Sequence, residues 1–142
     1  MTHYRILSLD GGGIRGVLTC VLLERLEAAQ PGWLAKVDLF AGTSTGGILA
    51  LGLAAGFTPT QARQLYEANG RRVFSDSLLD DLKDLGNTVG AEYANNGLRE
   101  VLMAEFGNRT LGDLPKNVLI SSFDLDNAPS DQNVLRTWKP KF

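Results

Sequence analysis

The sequence predicts an α/β fold, a mainly parallel sheet with helices on both faces, and three observations carry that prediction. Short β-rich runs alternate with longer helical patterns from Arg5 to Gly56, the order expected of parallel strands joined by right-handed crossovers. The first two of those runs each end in a glycine cluster, Gly11 to Gly13 with Gly16, and Gly42 with Gly46 and Gly47. A chain of 142 residues with 44% hydrophobic and 21% charged residues has the composition of one globular domain. A domain of that size buries roughly 68–70% of its unfolded surface, enough for a real core.

Taken in order, Arg5-Ile6-Leu7-Ser8-Leu9 reads as the first strand, closed by Asp10 and the glycines. From Ile14 to about Ala29, Val17, Val21, Leu22 and Leu26 recur with helical spacing among Glu24, Arg25 and Glu27, and Pro31-Gly32 ends the helix. Val37 to Ala41 is the second strand. Ile48 to Ala55, rich in Ala and Leu, is a buried helix that stops near Gly56. Thr58-Pro59-Thr60-Gln61 opens a further helix, with Thr58 as N-cap, Pro59 at the first helical position and Gln61 completing a capping box; it runs to about Asn69-Gly70. Residues 71–94 are expected to be an insert with one short helix around Leu78, Leu79, Leu82 and Leu85. Asn96 to Phe106 is amphipathic and ends at Gly107-Asn108, Val118 to Phe123 is the third strand, and Val134 to Trp138 in the polar tail reads as a terminal strand.

The bulk numbers exclude several classes of function. A formal net charge of -2 has no basic surplus for a nucleic-acid partner. The single cysteine, Cys20, lies in an apolar helical run, which rules out an internal disulfide framework and a thiolate metal cluster. It is expected to be a small buried hydrophobe. No metal and no cofactor are expected. Residues 1–6 lack the pattern of a secretory signal, and no apolar run approaches the roughly 20 residues of a membrane span, so the expected setting is cytoplasmic with no transmembrane segment.

Two motifs carry chemistry. Gly42-Thr43-Ser44-Thr45-Gly46 has the form G-x-S-x-G, a nucleophile elbow in which a strand stops, the chain turns sharply and a helix begins behind an exposed serine. Asp10-Gly11-Gly12-Gly13-Ile14-Arg15-Gly16 also fits the dinucleotide fingerprint G-x-G-x-x-G. Asp10 would set a carboxylate beside a pyrophosphate, however, and the second strand does not end in the acid that would bind ribose. A phosphate loop is excluded because neither cluster contains Gly-Lys-Ser/Thr. Both loops follow parallel strands, so they face one crevice at the carboxyl edge of the sheet. Backbone N–H groups of Gly11, Gly12 and Gly13 then suit the oxyanion formed when Ser44 attacks an ester, and losing one such donor typically costs ~2.7–4 kcal/mol. Arg15 adds positive charge for a phosphate head group or for the oxyanion.

Asp10 to Gly16 followed by Gly42 to Gly47, with Arg5 to Asp10 and Leu39 to Ala41 as context, closely resembles the patatin-like phospholipases, a family of lipid acyl hydrolases. That resemblance implies a three-layer α/β/α fold, calcium-independent cleavage of fatty acyl esters at a lipid or membrane surface, and a serine–aspartate dyad. It makes Ser44 the nucleophile, Gly11 to Gly13 with the N–H of Thr45 the oxyanion donors, and Arg15 the basic position of the motif. A dyad also fits the residue inventory, since the only histidine, His3, precedes the first strand and belongs at the opposite sheet edge. One feature departs from the family pattern: no Asp-Gly-Gly or Asp-Gly-Ala follows Ser44. Residues 1–142 are therefore expected to be the N-terminal part of a single domain, incomplete at its C-terminus, with the catalytic aspartate beyond the chain. Asp124 and Asp126 are candidates for a stand-in. The alternatives are a catalytically inactive lipid-binding or regulatory fragment, and an esterase or thioesterase acting on soluble acyl substrates.

Overall fold

The computed structural model describes residues 3–73 and 90–122. Three short strands, β1 (Ile6–Leu9), β2 (Leu39–Gly42) and β3 (Asn117–Ile120), form a parallel sheet in the order β1-β2-β3. Its register pairs Leu9 with Gly42 and Gly42 with Ile120 at the carboxyl edge. The described helices are α1 (Gly16–Ala29), α2 (Thr45–Ala54), α3 (Pro59–Val73) and α4 (Gly90–Phe106), with single 3-10 turns at Gly13–Arg15, Leu34–Lys36 and Leu111–Asp113.

The two crossovers step the same way across the sheet, and right-handed connections that do so put their helices on one face. The strand residues agree. Leu7, Leu9, Phe40 and Val118 belong to the core shared with α1, α2 and α3, whereas Ile6 and Leu119 on the other face are 61% and 54% exposed. Parallel α/β architecture is thus present as expected, with α1, α2 and α3 sharing the core on that face of the sheet and α4 packed against α3. Cys20 and Leu23 of α1, Leu49 and Leu53 of α2, and Ala62 and Tyr66 of α3 fill the space above Phe40.

The opposite, amino edge of the sheet is tied together by side chains. The Asp38 carboxylate accepts the Arg5 N–H at 2.7 Å, and Lys116 Nζ donates to the carbonyls of Ala35 and Val37 at 2.8 and 2.9 Å. Asn117 Nδ2 donates to the Asp38 carbonyl at 3.2 Å. The strand starts are fixed there, which leaves the carboxyl edge for loops that carry chemistry.

Several element boundaries differ from expectation for identifiable reasons. On α1 the buried positions are Gly16, Cys20 and Leu23, while Leu22 and Leu26 are exposed, because the helix is apolar on more than one face and spacing alone does not choose between them. Helix α3 begins as expected: Gln61 Oε1 accepts the Thr58 N–H at 2.9 Å and Thr58 Oγ1 accepts the Gln61 N–H at 3.2 Å. It runs past Gly70 to Val73, however. Gly70 is not a stop signal; it is buried, and a Cβ there would fall 2.7 Å from Ile14 Cδ1. Helix α4 starts at Gly90, so residues 90–94 are helical where an insert was expected. The expected short helix around Leu78 to Leu85, the terminal strand at Val134 to Trp138, and Phe123, Asp124 and Asp126 lie outside the described residues.

Candidate active site

Strand β2 ends at Gly42, and α2 begins at Thr45, so Thr43 and Ser44 must reverse the chain between them. Ser44 takes φ 52° and ψ -125°, and among the described residues it is the one non-glycine with positive φ. Such a conformation costs on the order of 1–3 kcal/mol and persists only where its surroundings enforce it. They do. A Cβ on Gly42 would fall 2.2 Å from the Gly46 carbonyl oxygen, and one on Gly46 would fall 2.2 Å from the Leu9 oxygen and 2.6 Å from that of Asp10. The first turn of α2 therefore sits directly on the end of β1, an approach that only glycine permits.

The same turn orients the backbone. The Ser44 carbonyl accepts N–H groups of Gly47 at 2.9 Å and Ile48 at 3.2 Å. Since a trans peptide sends its N–H opposite to its carbonyl, the Thr45 N–H points out of the helix N-terminus. Eight of the ten residues of α2 are buried, so the positive end of its dipole meets the site through a poorly screening interior. Ser44 itself is exposed, and among the described residues no side chain hydrogen-bonds its hydroxyl.

The glycine loop lies against this elbow. A Cβ on Gly11 would fall 3.1 Å from Ser44 Cβ and 2.9 Å from the Thr43 oxygen. Gly12 and Gly13 have φ of 144° and 61°, and Gly13 has open space where a side chain would project. Arg15 folds back onto the loop: its backbone N–H and its Nε both donate to the Gly12 carbonyl, at 3.3 and 3.1 Å. Ser44, Gly11 and Thr45 are thus adjacent, with Gly12, Gly13 and Arg15 completing the loop beside them. His3 is exposed and precedes β1, at the far edge of the sheet.

Sequence reasoning missed Tyr66. This residue of α3 is 3% exposed, and its hydroxyl donates to the Thr45 carbonyl in the first turn of α2. Its ring occupies the place of a Gly16 side chain, since a Cβ there would fall 2.5 Å from Tyr66 Cε1. One side chain therefore touches both the helix start behind the glycine loop and the elbow. Burial raises its phenol well above the usual range, so it stays a neutral donor. Amphipathic spacing marks Tyr66 as inward-facing, but nothing in the pattern names the carbonyl it meets. Cys20, by contrast, is core as expected: burial, reinforced by the Glu24 carboxylate, pushes its thiol up to about 11 and leaves it unreactive.

Among the described residues no group of three or more His, Cys, Asp or Glu is placed to hold a metal ion. Nor is any described helix long and apolar enough to cross a membrane.

Comparison with known proteins adds an independent line. A family model described as patatin-like phospholipase matches residues 7–140. The chain is 41% identical over 118 residues to a cGAMP-activated phospholipase of Pseudomonas aeruginosa, a match covering 82% of this chain and 35% of that protein. It is 32% identical over 142 residues to the 85/88 kDa calcium-independent phospholipase A2 of Rattus norvegicus, covering 96% of this chain and 16% of the relative. It is 30% identical over 138 residues to Patatin-17 of Solanum cardiophyllum, covering 84% and 33%. In each case the chain spans well under half of the relative's length.

Proposed function

The chain belongs to the patatin-like phospholipase family, and on that premise we propose that it carries the nucleophile and oxyanion hole of a serine lipid acyl hydrolase. The observation that carries the reading is the conformation of Ser44, exposed on a strained turn with the glycine loop packed against it. In this reaction Ser44 Oγ attacks the carbonyl carbon of a fatty acyl ester and gives up its proton to a general base. Negative charge on the carbonyl oxygen is received by N–H groups of Gly11 to Gly13 and Thr45, at the positive end of α2. The tetrahedral species collapses, the protonated alcohol leaves, and water then releases the acid from the acyl-serine.

The base in this reading is an aspartate outside the described residues, which with Ser44 makes a two-residue dyad. His3 is too far along the sheet to serve, and the raised thiol of Cys20 is buried in the core. We read residues 1–142 as part of a single catalytic domain that meets its substrate at a lipid surface. Ile14 and Ile120, both exposed beside the two loops, suit such a surface, as an acyl chain must leave an apolar phase to reach Ser44. The second reading is a non-catalytic lipid-binding role, in which the same crevice holds an acyl ester without a base to activate Ser44.

One experiment separates the two. Treating the intact protein with a fluorophosphonate should label Ser44 covalently, and Ser44→Ala should abolish the label. An unlabelled wild-type protein removes the hydrolase reading and leaves the binding role.

A further inference from the structure

We propose that Arg15 is a positioning residue that fixes the Gly12–Gly13 peptide so that the Gly13 N–H is presented to the oxyanion. The inference rests on the acyl-hydrolase reading and assigns to Arg15 a role other than binding substrate. The Gly12 carbonyl is held by two donors from the same residue, the Arg15 N–H and Nε. In a planar trans peptide the N–H of Gly13 must point opposite to that carbonyl. Holding the oxygen against Arg15 therefore turns the Gly13 donor away from the guanidinium, to the other side of the loop.

Nothing else seen in the loop resists a flip of this peptide. A side chain on Gly13 would meet no atom within 4 Å, and glycines on both sides leave the rotation free of Cβ clashes. On the outer side a Cβ on Gly12 would fall 3.3 Å from Arg15 Nε and 3.6 Å from Cζ, so the guanidinium covers the loop like a flat plate. A flipped peptide would remove one N–H donor from the oxyanion and turn a carbonyl oxygen toward the developing charge. Both changes raise the barrier without altering how the substrate's remaining groups are bound.

The test compares Arg15→Gln and Arg15→Lys with wild type in the intact protein. Two substrates are used, neutral p-nitrophenyl butyrate and anionic phosphatidylglycerol vesicles, together with the rate of fluorophosphonate labelling at Ser44. The expected result is a fall in kcat of about 10- to 100-fold on both substrates, with KM within about twofold and labelling slowed by a similar factor. Arg15→Lys keeps the charge but not the Nε donor, and falls with Arg15→Gln. A loss confined to the vesicles and expressed in KM would mean that Arg15 binds a phosphate, and overturns the proposal. So would full rescue by lysine, or equal rates in wild type and Arg15→Gln. A wild-type protein that does not label at Ser44 overturns the hydrolase reading and this proposal together. Arg15 is exposed, and an unchanged thermal midpoint in both variants confirms that the losses are not unfolding.

Discussion

The two loops at the carboxyl edge of the sheet hold their backbones in opposite ways. At the elbow, backbone packs on backbone: the first turn of α2 rests on the last residue of β1 and on Asp10, and the Ser44 carbonyl is locked into the helix. In the glycine loop the Gly12–Gly13 peptide is held by two hydrogen bonds from Arg15, one from its backbone N–H and one from its exposed side chain, and the space beside Gly13 is open. The proposed nucleophile is thus fixed by sterics that no side-chain motion relaxes, while a proposed part of the oxyanion hole depends on hydrogen bonds that can break individually. Strain can be stored at the first place and not at the second.

The largest effect should come from removing the strained residue itself. Ser44→Gly deletes the proposed nucleophile, and loss of a nucleophilic serine lowers kcat by on the order of 10⁶. The same change relieves the positive φ of 52°, which should raise stability by about 1 kcal/mol after the extra chain entropy of glycine is counted. Urea denaturation of the intact protein checks this. A destabilised Ser44→Gly would mean that the elbow stores no strain. Next in size is Gly46→Ala, whose Cβ would meet the Leu9 oxygen at 2.2 Å and must push α2 off the sheet. A loss of about 3 kcal/mol or more is expected, because backbone cannot yield as a side chain does.

That steric contact also marks what the sequence discloses. The sharp turn from Gly42 to Gly46 was legible because G-x-S-x-G places glycine at the offsets where backbones approach closely, and the parallel class was legible from alternation. The capping box at Thr58 was legible for the same kind of reason, being a local exchange between residues three apart. What escaped depends on contacts between distant segments. Gly70 reads as a helix stop, yet it is buried within α3 against Ile14, 56 positions away in sequence. Tyr66 reads as one more core position, and only the fold brings its hydroxyl to Thr45. Arg15 is the local exception: it reads as a charge for substrate, and its Nε donates to a carbonyl only three residues back, a direction that residue type alone does not disclose.

Gly13→Ala sharpens the comparison from the other side. No atom obstructs the new methyl group, so the cost is that of holding a residue with a side chain at φ 61°, about 1–2 kcal/mol. If Gly13→Ala proves as damaging as Gly46→Ala in the same denaturation experiment, the loop is packed as tightly as the elbow and the contrast fails.

The smallest effect tests whether the loops act as one unit, since Tyr66 touches both. Tyr66→Phe keeps the ring against Gly16 and removes only the hydroxyl that donates to the Thr45 carbonyl. That carbonyl remains at the start of α2, where the helix supplies its own donor, so the loss should be near the net value of a single hydrogen bond, about 1 kcal/mol. Combined with Arg15→Gln, which acts on the Gly12 carbonyl, the two changes should add to within about 0.5 kcal/mol, because separately anchored sites behave independently. A larger coupling in that double-mutant cycle would mean that Tyr66 transmits the state of the glycine loop to the elbow through Gly16. The contrast between a rigid elbow and an adjustable glycine loop would then give way to one cooperative unit.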